Sequence, residues 1–220
     1  MTDTTVWLYG SVARGDDTPK SDLDILVVDD SIPFRIFEHK ILQALPHFEN
    51  LSARQYSWQE IIAMASYGSL FLLHIKLEGR PVVDGLGASR LKGILDELPS
   101  YSGRARDLKG FRIALQDSRT SLADGGDPTF ELSVIATVIR HASIMACYFI
   151  GQPAFDRETS IPRALNSVNL NAAAPGALEL YDFRLAQARD IPTKIVPSHE
   201  LAQSWLNVAF DFITRLELAA

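Results

Sequence analysis

The chain lacks the residue patterns that define several functional classes. Its 220 residues include one cysteine, Cys147, so no disulfide forms within the chain, and its apolar neighbours indicate a buried structural thiol. A formal net charge of −6 argues against a generally basic surface for nucleic acid. The histidines lack the spacing of zinc ligands, and no nucleophile elbow marks a Ser-His-Asp triad. Zinc enzymes and serine-triad hydrolases are therefore not indicated.

Long hydrophobic runs without charge are also missing, and we expect no secretory leader. Residues 1–5 are polar and acidic, without the basic start and apolar core of a signal peptide. The longest apolar segment, Leu132–Ile150, is interrupted by Arg140 and His141, so we expect a buried helix there and not a membrane span. These absences predict a cytoplasmic protein with no membrane partner.

The most informative feature is a glycine-containing turn followed by two closely spaced carboxylates. Val6–Tyr9 is a short run of strand formers that stops at Gly10, and Ile25–Val28 is a second such run. Asp22 and Asp24 project from the same face of an extended chain. Two carboxylates this close repel unless a cation lies between them, and Mg²⁺ takes one or two carboxylates plus substrate phosphates. The stretch predicts metal-assisted phosphoryl chemistry.

Small residues and cations surround this predicted site. Gly10 and Ser11 offer backbone N–H groups and a hydroxyl that can approach a triphosphate closely. The nearest cations are Arg14 and Lys20. The alternative to a metal site is a structural role. An Asp-x-Asp pair at the start of a strand can cap a turn by accepting hydrogen bonds from nearby backbone N–H groups.

These residues carry a resemblance to a known family. The spacing between Gly10-Ser11 and Asp22-x-Asp24 resembles the signature of the DNA polymerase beta-type nucleotidyltransferase superfamily. The full run of matching residues resembles the small bacterial members of that superfamily, including minimal nucleotidyltransferases and aminoglycoside nucleotidyltransferases. The matching run is Gly10-Ser11-x-Ala13-Arg14-Gly15 followed by Ser21-Asp22-x-Asp24. The resemblance implies a polymerase-beta-like domain with a mixed sheet and flanking helices.

The resemblance also implies the chemistry and the roles of individual residues. Asp22 and Asp24 would bind Mg²⁺, with Mn²⁺ as the alternative, and would be catalytic. The triphosphate of ATP or another NTP would be held by the remaining motif residues, Gly10, Ser11, Arg14, Lys20 and Ser21. An acceptor hydroxyl would attack the α-phosphorus and pyrophosphate would leave. The acceptor would be a small molecule, a protein side chain or an RNA end, bound between the two domains.

The resemblance also implies a third carboxylate, which in this superfamily usually completes the site from a later strand. The expected strand lies within Phe48–Tyr56, where Glu49 is the only acid and stands at the start. Ser52 or Arg54 occupies the position where an acid is expected. We take Glu49 as the candidate third catalytic acid. Without that acid, nucleotide binding would persist with weakened turnover, as in a regulatory or antitoxin-like protein with a toxin-like partner or a second copy of the chain.

Strand and helix signals alternate in the first part of the chain, and only helix signals follow. This change predicts an α+β protein of two domains. Residues 1–86 mix strands and helices, and residues 87–220 predict an all-α helical bundle. In the first domain, Ser57 and Glu60 form a predicted capping box. Predicted helices follow at Phe34–Leu45, from Ser57 through Ala65, Leu70–Leu77, Ser89–Leu98, Arg104–Leu122, Phe130–Ile150, Ile161–Val168, Ala177–Ala188 and Glu200–Leu218.

The helical domain holds a second candidate site. Arg140 and His141 interrupt an apolar helix, so we expect Arg140 to pair with Asp156 or Glu158, or to face the cleft between domains. Such bundles resemble the C-terminal domains of aminoglycoside nucleotidyltransferases and the HEPN partners of minimal nucleotidyltransferases. The ribonuclease form of the latter needs an Arg four to six residues before a His. The adjacent Arg140 and His141 do not match, so we predict no ribonuclease activity.

Overall fold

The N-terminal part of the chain forms a small mixed sheet with helices, and the C-terminal part is helical, giving an α+β protein. This computed structural model describes residues 4–17, 21–30, 51–82, 86–189 and 193–219. The predicted helix Phe34–Leu45 and the candidate site residues Lys20 and Glu49 lie outside the described residues. By compactness the chain divides into two units, 1–103 and 104–220. The domain boundary after residue 86 stays a prediction.

Four strands form the sheet of the first unit. They are β1 (Thr5–Tyr9), β2 (Leu23–Val28), β3 (Leu51–Tyr56) and the short β4 (Arg80–Pro81), in the order β3-β2-β1-β4. Strand β1 pairs antiparallel with β2 and β4, whereas β2 and β3 are parallel. The two central strands are the apolar runs on either side of the glycine turn, as the sequence predicts.

Four helices of the first unit are described. They are α1 (Gly10–Arg14), α2 (Trp58–Ala65), α3 (Leu70–Glu78) and α4 (Leu86–Asp96). Helix α2 begins with the predicted capping box: the Ser57 hydroxyl accepts from the Glu60 backbone N–H, and the Glu60 carboxylate accepts from the Ser57 backbone N–H. The hydrogen bonds from the Ser57 backbone and hydroxyl hold the pKa of Glu60 below its ordinary value.

The sheet is covered by apolar side chains on both faces. On one face, Leu26 and Val28 join Trp7 and Tyr9 in a core cluster that includes residues of α2, α3 and α4. A second cluster forms around the alternate residues of β2, which are Leu23, Ile25 and Val27. Strand β2 is therefore buried on both sides, as its nearly continuous apolar sequence indicates. Helix α4 belongs to the first core because Leu91 and Leu95 lie in the same cluster.

Five α-helices and a short 3₁₀ turn form the described part of the second unit. They are α5 (Arg104–Ala123), α6 (Pro128–Phe149), α7 (Arg157–Ser167), the 3₁₀ turn Asn171–Ala173, α8 (Ala174–Arg189) and α9 (His199–Leu218). Helix α6 packs against α5, α7, α8 and α9, and the predicted apolar stripe of Leu132, Ile135, Val138 and Ile139 is buried.

Helix α6 meets the length and hydropathy of a membrane span, and 61% of its most apolar window is buried inside the protein. The core helix of a soluble protein has the same properties, so this is weak evidence for a membrane segment. Helices α2 and α3 together also have this composition, but the chain bends by 100° between them. The expectation of a buried helix is confirmed for α6.

Some details of the second unit differ from expectation, and one is that α8 begins at Ala174 instead of the predicted Ala177. Helix α7 begins at Arg157, earlier than the predicted Ile161, because the Asp156 side chain caps the Thr159 backbone N–H at 2.7 Å. Arg140 does not pair with Asp156 or Glu158: its Nη2 donates to the carbonyl oxygen of Phe155 at 2.9 Å. A backbone carbonyl thus provides the acceptor that was expected from a carboxylate.

The buried thiol gives a first testable prediction. Burial raises the pKa of Cys147 to about 11, so little thiolate exists near neutral pH. We expect the native protein to react with Ellman's reagent at least ~100-fold more slowly than the protein unfolded in guanidinium chloride, since both ionisation and access are suppressed. Absorbance at equal pH measures the two rates. Fast stoichiometric reaction of the native protein would contradict the buried structural assignment.

Candidate nucleotide-binding site

The site begins where β1 turns directly into the short helix α1. Gly10 is buried and has a φ of +73°, a conformation that residues with a side chain rarely adopt. A Cβ atom at this position would lie 2.4 Å from Oδ2 of Asp24. The backbone of the glycine turn therefore approaches the Asp24 carboxylate closely. The two halves of the sequence motif meet at this point.

Strand pairing explains this approach. Asp24 stands opposite Tyr9 across the antiparallel β1–β2 pair, so its neighbour along β1 is the start of the glycine turn. Asp22 directly precedes β2, and its Oδ1 atom is buried. Residues two apart in an extended chain share a face, which favours both carboxylates on the side of Asp24. Ser21 is half-buried immediately before them.

The neighbouring strand carries no acid beside Asp24 within its described length. Ser52 pairs with Asp24 in the parallel β2–β3 register, and Arg54 pairs with Leu26. Among the residues that the structure describes, no group of three His, Cys, Asp or Glu side chains is arranged to hold a metal ion. Glu49 precedes the described start of β3 at Leu51, so its role stays a prediction, as does that of Lys20.

Tyr9 lies beside Asp24 as a buried neutral phenol. Burial raises the pKa of Tyr9, the negative charge of Asp24 raises it further, and the positive charge of Arg54 opposes them. Its ring makes edge contacts with Phe71 at 5.7 Å and His74 at 5.3 Å between centroids. The sequence indicated Tyr9 only as a strand residue, because its place beside Asp24 depends on the β1–β2 register.

Arg14 is held by two carboxylates. Its Nε donates to Oδ2 of Asp16 at 3.0 Å, and its Nη1 donates to Oε2 of Glu78 at 2.6 Å. The same Glu78 oxygen lies 2.9 Å from Nε2 of His74. Although burial opposes the charged form, the hydrogen bonds and charges of both carboxylates raise the pKa of Arg14 above its ordinary value. The motif arginine thus joins the end of α1 to the end of α3.

Sequence reasoning missed Glu78 and His74 as neighbours of the motif. His74 and Glu78 stand four residues apart on α3, a spacing that indicates a helical pair. The contact of Glu78 with Arg14 joins residues 64 positions apart, which no local pattern shows. The assignment of Arg14 to the triphosphate stays a prediction, and any ligand would meet a guanidinium already bonded through two nitrogens.

The close approach at the turn predicts a large effect of one methyl group. We expect Gly10→Ala to lower the free energy of unfolding by about 2–4 kcal/mol, because it combines backbone strain with a clash against Asp24. Gly15→Ala is the matched control: Gly15 has a φ of +79°, and nothing lies within 4 Å of its Cβ position. Urea unfolding of both variants measures the difference. Equal losses would exclude the clash.

The Arg14–Glu78 contact predicts a pH dependence of stability. Burial raises the pKa of the Glu78 carboxyl, but hydrogen bonds and charges from His74 and Arg14 outweigh it and hold the pKa below its ordinary value. The ion pair of Glu78 stabilises the folded protein by about 1 kcal/mol, as is usual for a partly exposed pair. This contribution is complete above the pKa that Glu78 has in the unfolded chain, roughly 4.3, and is lost as the pH falls through its pKa in the folded protein.

Urea unfolding of the wild type and Glu78→Gln between neutral and acidic pH measures this dependence. The difference between them should shrink toward acid, whereas the exposed control Glu97→Gln should show no such trend. A difference that grows as pH falls would contradict the ion-pair interpretation.

Comparisons with known proteins cover the part of the chain that contains this site. The family model of a nucleotidyltransferase domain matches residues 2–61, which include the glycine turn, both motif aspartates and Glu49. Comparison with curated proteins found no match. The match and the meeting of the two motif halves agree: residues 2–61 are a nucleotidyltransferase domain of the DNA polymerase beta-type superfamily.

Proposed function

We propose that the protein is a metal-dependent nucleotidyltransferase that transfers a nucleoside monophosphate, AMP from ATP in the favoured form, to an acceptor hydroxyl. The observation that carries the proposal is the position of Asp24 against the backbone of the Gly10 turn. This contact brings a carboxylate and a predicted phosphate-holding turn to the same place. The family match at residues 2–61 supports nucleotidyl transfer as the general chemistry.

The donor set of the motif fits a hard divalent cation. Asp22 and Asp24 supply carboxylate oxygens, which suit Mg²⁺ or Mn²⁺, and Mg²⁺ is commonly bound by one or two carboxylates together with substrate phosphates. The ion, when bound, neutralises phosphate charge and lowers the pKa of the attacking hydroxyl. The two aspartates would hold it and orient the triphosphate against the glycine turn.

The remaining motif residues take parts in binding and proton transfer. In the proposed reaction the acceptor oxygen forms a bond to the α-phosphorus while the bond to the bridging oxygen of pyrophosphate breaks. The Ser11 hydroxyl and the backbone of Gly10 would hold phosphate oxygens, assisted by Arg14, Lys20 and Ser21. The proton of the acceptor hydroxyl passes to a general base, for which Glu49 is the candidate.

A second function is favoured by one observation in β3. Ser52 pairs with Asp24 in the β2–β3 register, and the described strand Leu51–Tyr56 contains no acid that could serve as the third carboxylate of a two-metal site. A protein of this kind would bind nucleotide and turn it over slowly or not at all. It would act as a nucleotide sensor or as an antitoxin-like partner, with a toxin-like protein or a second copy of the chain.

A transfer assay tests the enzymatic proposal. Purified protein is incubated with Mg²⁺, ATP labelled at the α-phosphate and three acceptor classes: hydroxyl-bearing small molecules, an RNA oligonucleotide and a protein with exposed serines and tyrosines. We expect label transfer and pyrophosphate release to fall at least ~100-fold in Asp22→Asn and Asp24→Asn, because each removes a charged metal ligand. Asp124→Asn, an exposed aspartate of the helical unit, is the matched control. Equal transfer by all four proteins would refute the site.

Calorimetry with Mg²⁺ and ATP separates the two functions. Binding that depends on Asp22 and Asp24, together with pyrophosphate release, supports the enzyme. The same binding without release in any acceptor arm supports the sensor. Absence of binding would contradict both proposals.

A further inference from the structure

The helical unit carries an open groove outside the nucleotidyltransferase domain. Its volume is about 570 Å³, and helices α5, α6 and α8 form its walls. Sites for small organic ligands commonly occupy roughly 300–1,000 Å³ and combine apolar walls with a few convergent polar groups. The groove has both the volume and this mixture of side chains, as its lining shows.

Apolar side chains form the larger part of the walls. Phe111 and Ala114 line the groove from α5, and Phe130, Val134 and Val138 line it from α6. Phe130 is 53% exposed, although much of α6 is buried. An aromatic ring exposed in a concave surface gains free energy when a ligand removes it from water.

Polar side chains form the rest of the lining, and one of them carries a positive charge. They are Ser133, Thr137 and His141 of α6 and Arg184 and Gln187 of α8. Within the described ranges, no acidic residue lines the groove, and Arg184 makes no hydrogen bond or ion pair there. Arg184 is half-buried as a residue. A planar guanidinium in this setting favours a carboxylate, sulfonate or phosphate.

Two further guanidinium groups lie against Tyr181 of α8. Tyr181 precedes Arg184 by three residues and therefore lies on the same side of the helix. The Arg140 and Arg157 guanidinium groups lie 5.5 and 5.3 Å from the centroid of its ring. Glu158 pairs with Arg157 at 2.6 Å and offsets one of these charges.

We propose that this groove binds a small organic anion that has an aromatic or branched apolar body. The apolar body lies between Phe111 and Phe130, and the anionic group is held by Arg184. The charge of Arg184 disfavours polycationic ligands, because none of the described lining residues is a carboxylate that would pair with them. This binding activity is separate from nucleotidyl transfer and does not depend on it.

Three matched compounds test the proposal by calorimetry on the full chain: 2-naphthoate, its neutral isostere 2-naphthamide and the cation 2-naphthylmethylammonium. We expect the naphthoate to bind at least ~10-fold more tightly than the amide, since an ion pair in a partly desolvated groove is worth roughly that factor. The cation should bind more weakly than the amide. Equal affinity for the three compounds, or no binding of naphthoate at about 1 mM, would overturn the proposal.

Variants locate the binding. Arg184→Gln should reduce naphthoate affinity to that of the amide and leave amide affinity unchanged. The control is Arg106→Gln, which changes an exposed arginine of α5 outside the groove lining and should alter neither affinity. Ala114→Trp should fill the groove and abolish binding of both compounds, with its thermal unfolding recorded to confirm that it folds. Unchanged naphthoate affinity in Arg184→Gln, or in folded Ala114→Trp, would overturn the assignment of the groove.

Discussion

The site depends on the antiparallel register between β1 and β2. Tyr9 stands opposite Asp24, and this pairing places the Gly10 backbone against the Asp24 carboxylate. A slip of one residue would reverse the face on which each β2 side chain lies, so Asp24 would leave the turn. The chemistry of the motif is therefore a property of strand pairing as much as of the residues in it.

Burial of β2 on both faces holds that register. Leu26 and Val28 contribute to the cluster that includes residues of α2, α3 and α4, while Ile25 and Val27 belong to the opposite cluster. A slipped strand would place residues shaped for one cluster into the other, at a cost in packing that cores seldom tolerate. The same packing fixes the positions of the two aspartates. They lie at the polar start of β2, and the apolar rest of that strand is buried on both faces.

Local patterns predicted the parts of the protein that local physics determines. The strands flanking the turn, the Ser57–Glu60 capping box and the apolar stripe of α6 all follow from spacing within a few residues. The prediction of a carboxylate partner for Arg140 was wrong. The sequence shows that a buried cation needs an acceptor, but it does not show that the carbonyl oxygen of Phe155 is that acceptor. The Arg14–Glu78 contact was missed because it requires the relative placement of α1 and α3.

Two arginines differ in how ready they are to receive an anion. Arg14 already donates to Asp16 and Glu78, so a phosphate at its position would exchange one anionic partner for another and gain little net free energy. Arg184 has no carboxylate partner among the described residues, so an anion there would gain the interaction without breaking an ion pair. A guanidinium next to a signature motif is therefore not by itself the strongest anion site in a chain. In the proposed reaction, the binding of a triphosphate at the glycine turn would therefore depend chiefly on backbone N–H groups and on a cation held by Asp22 and Asp24.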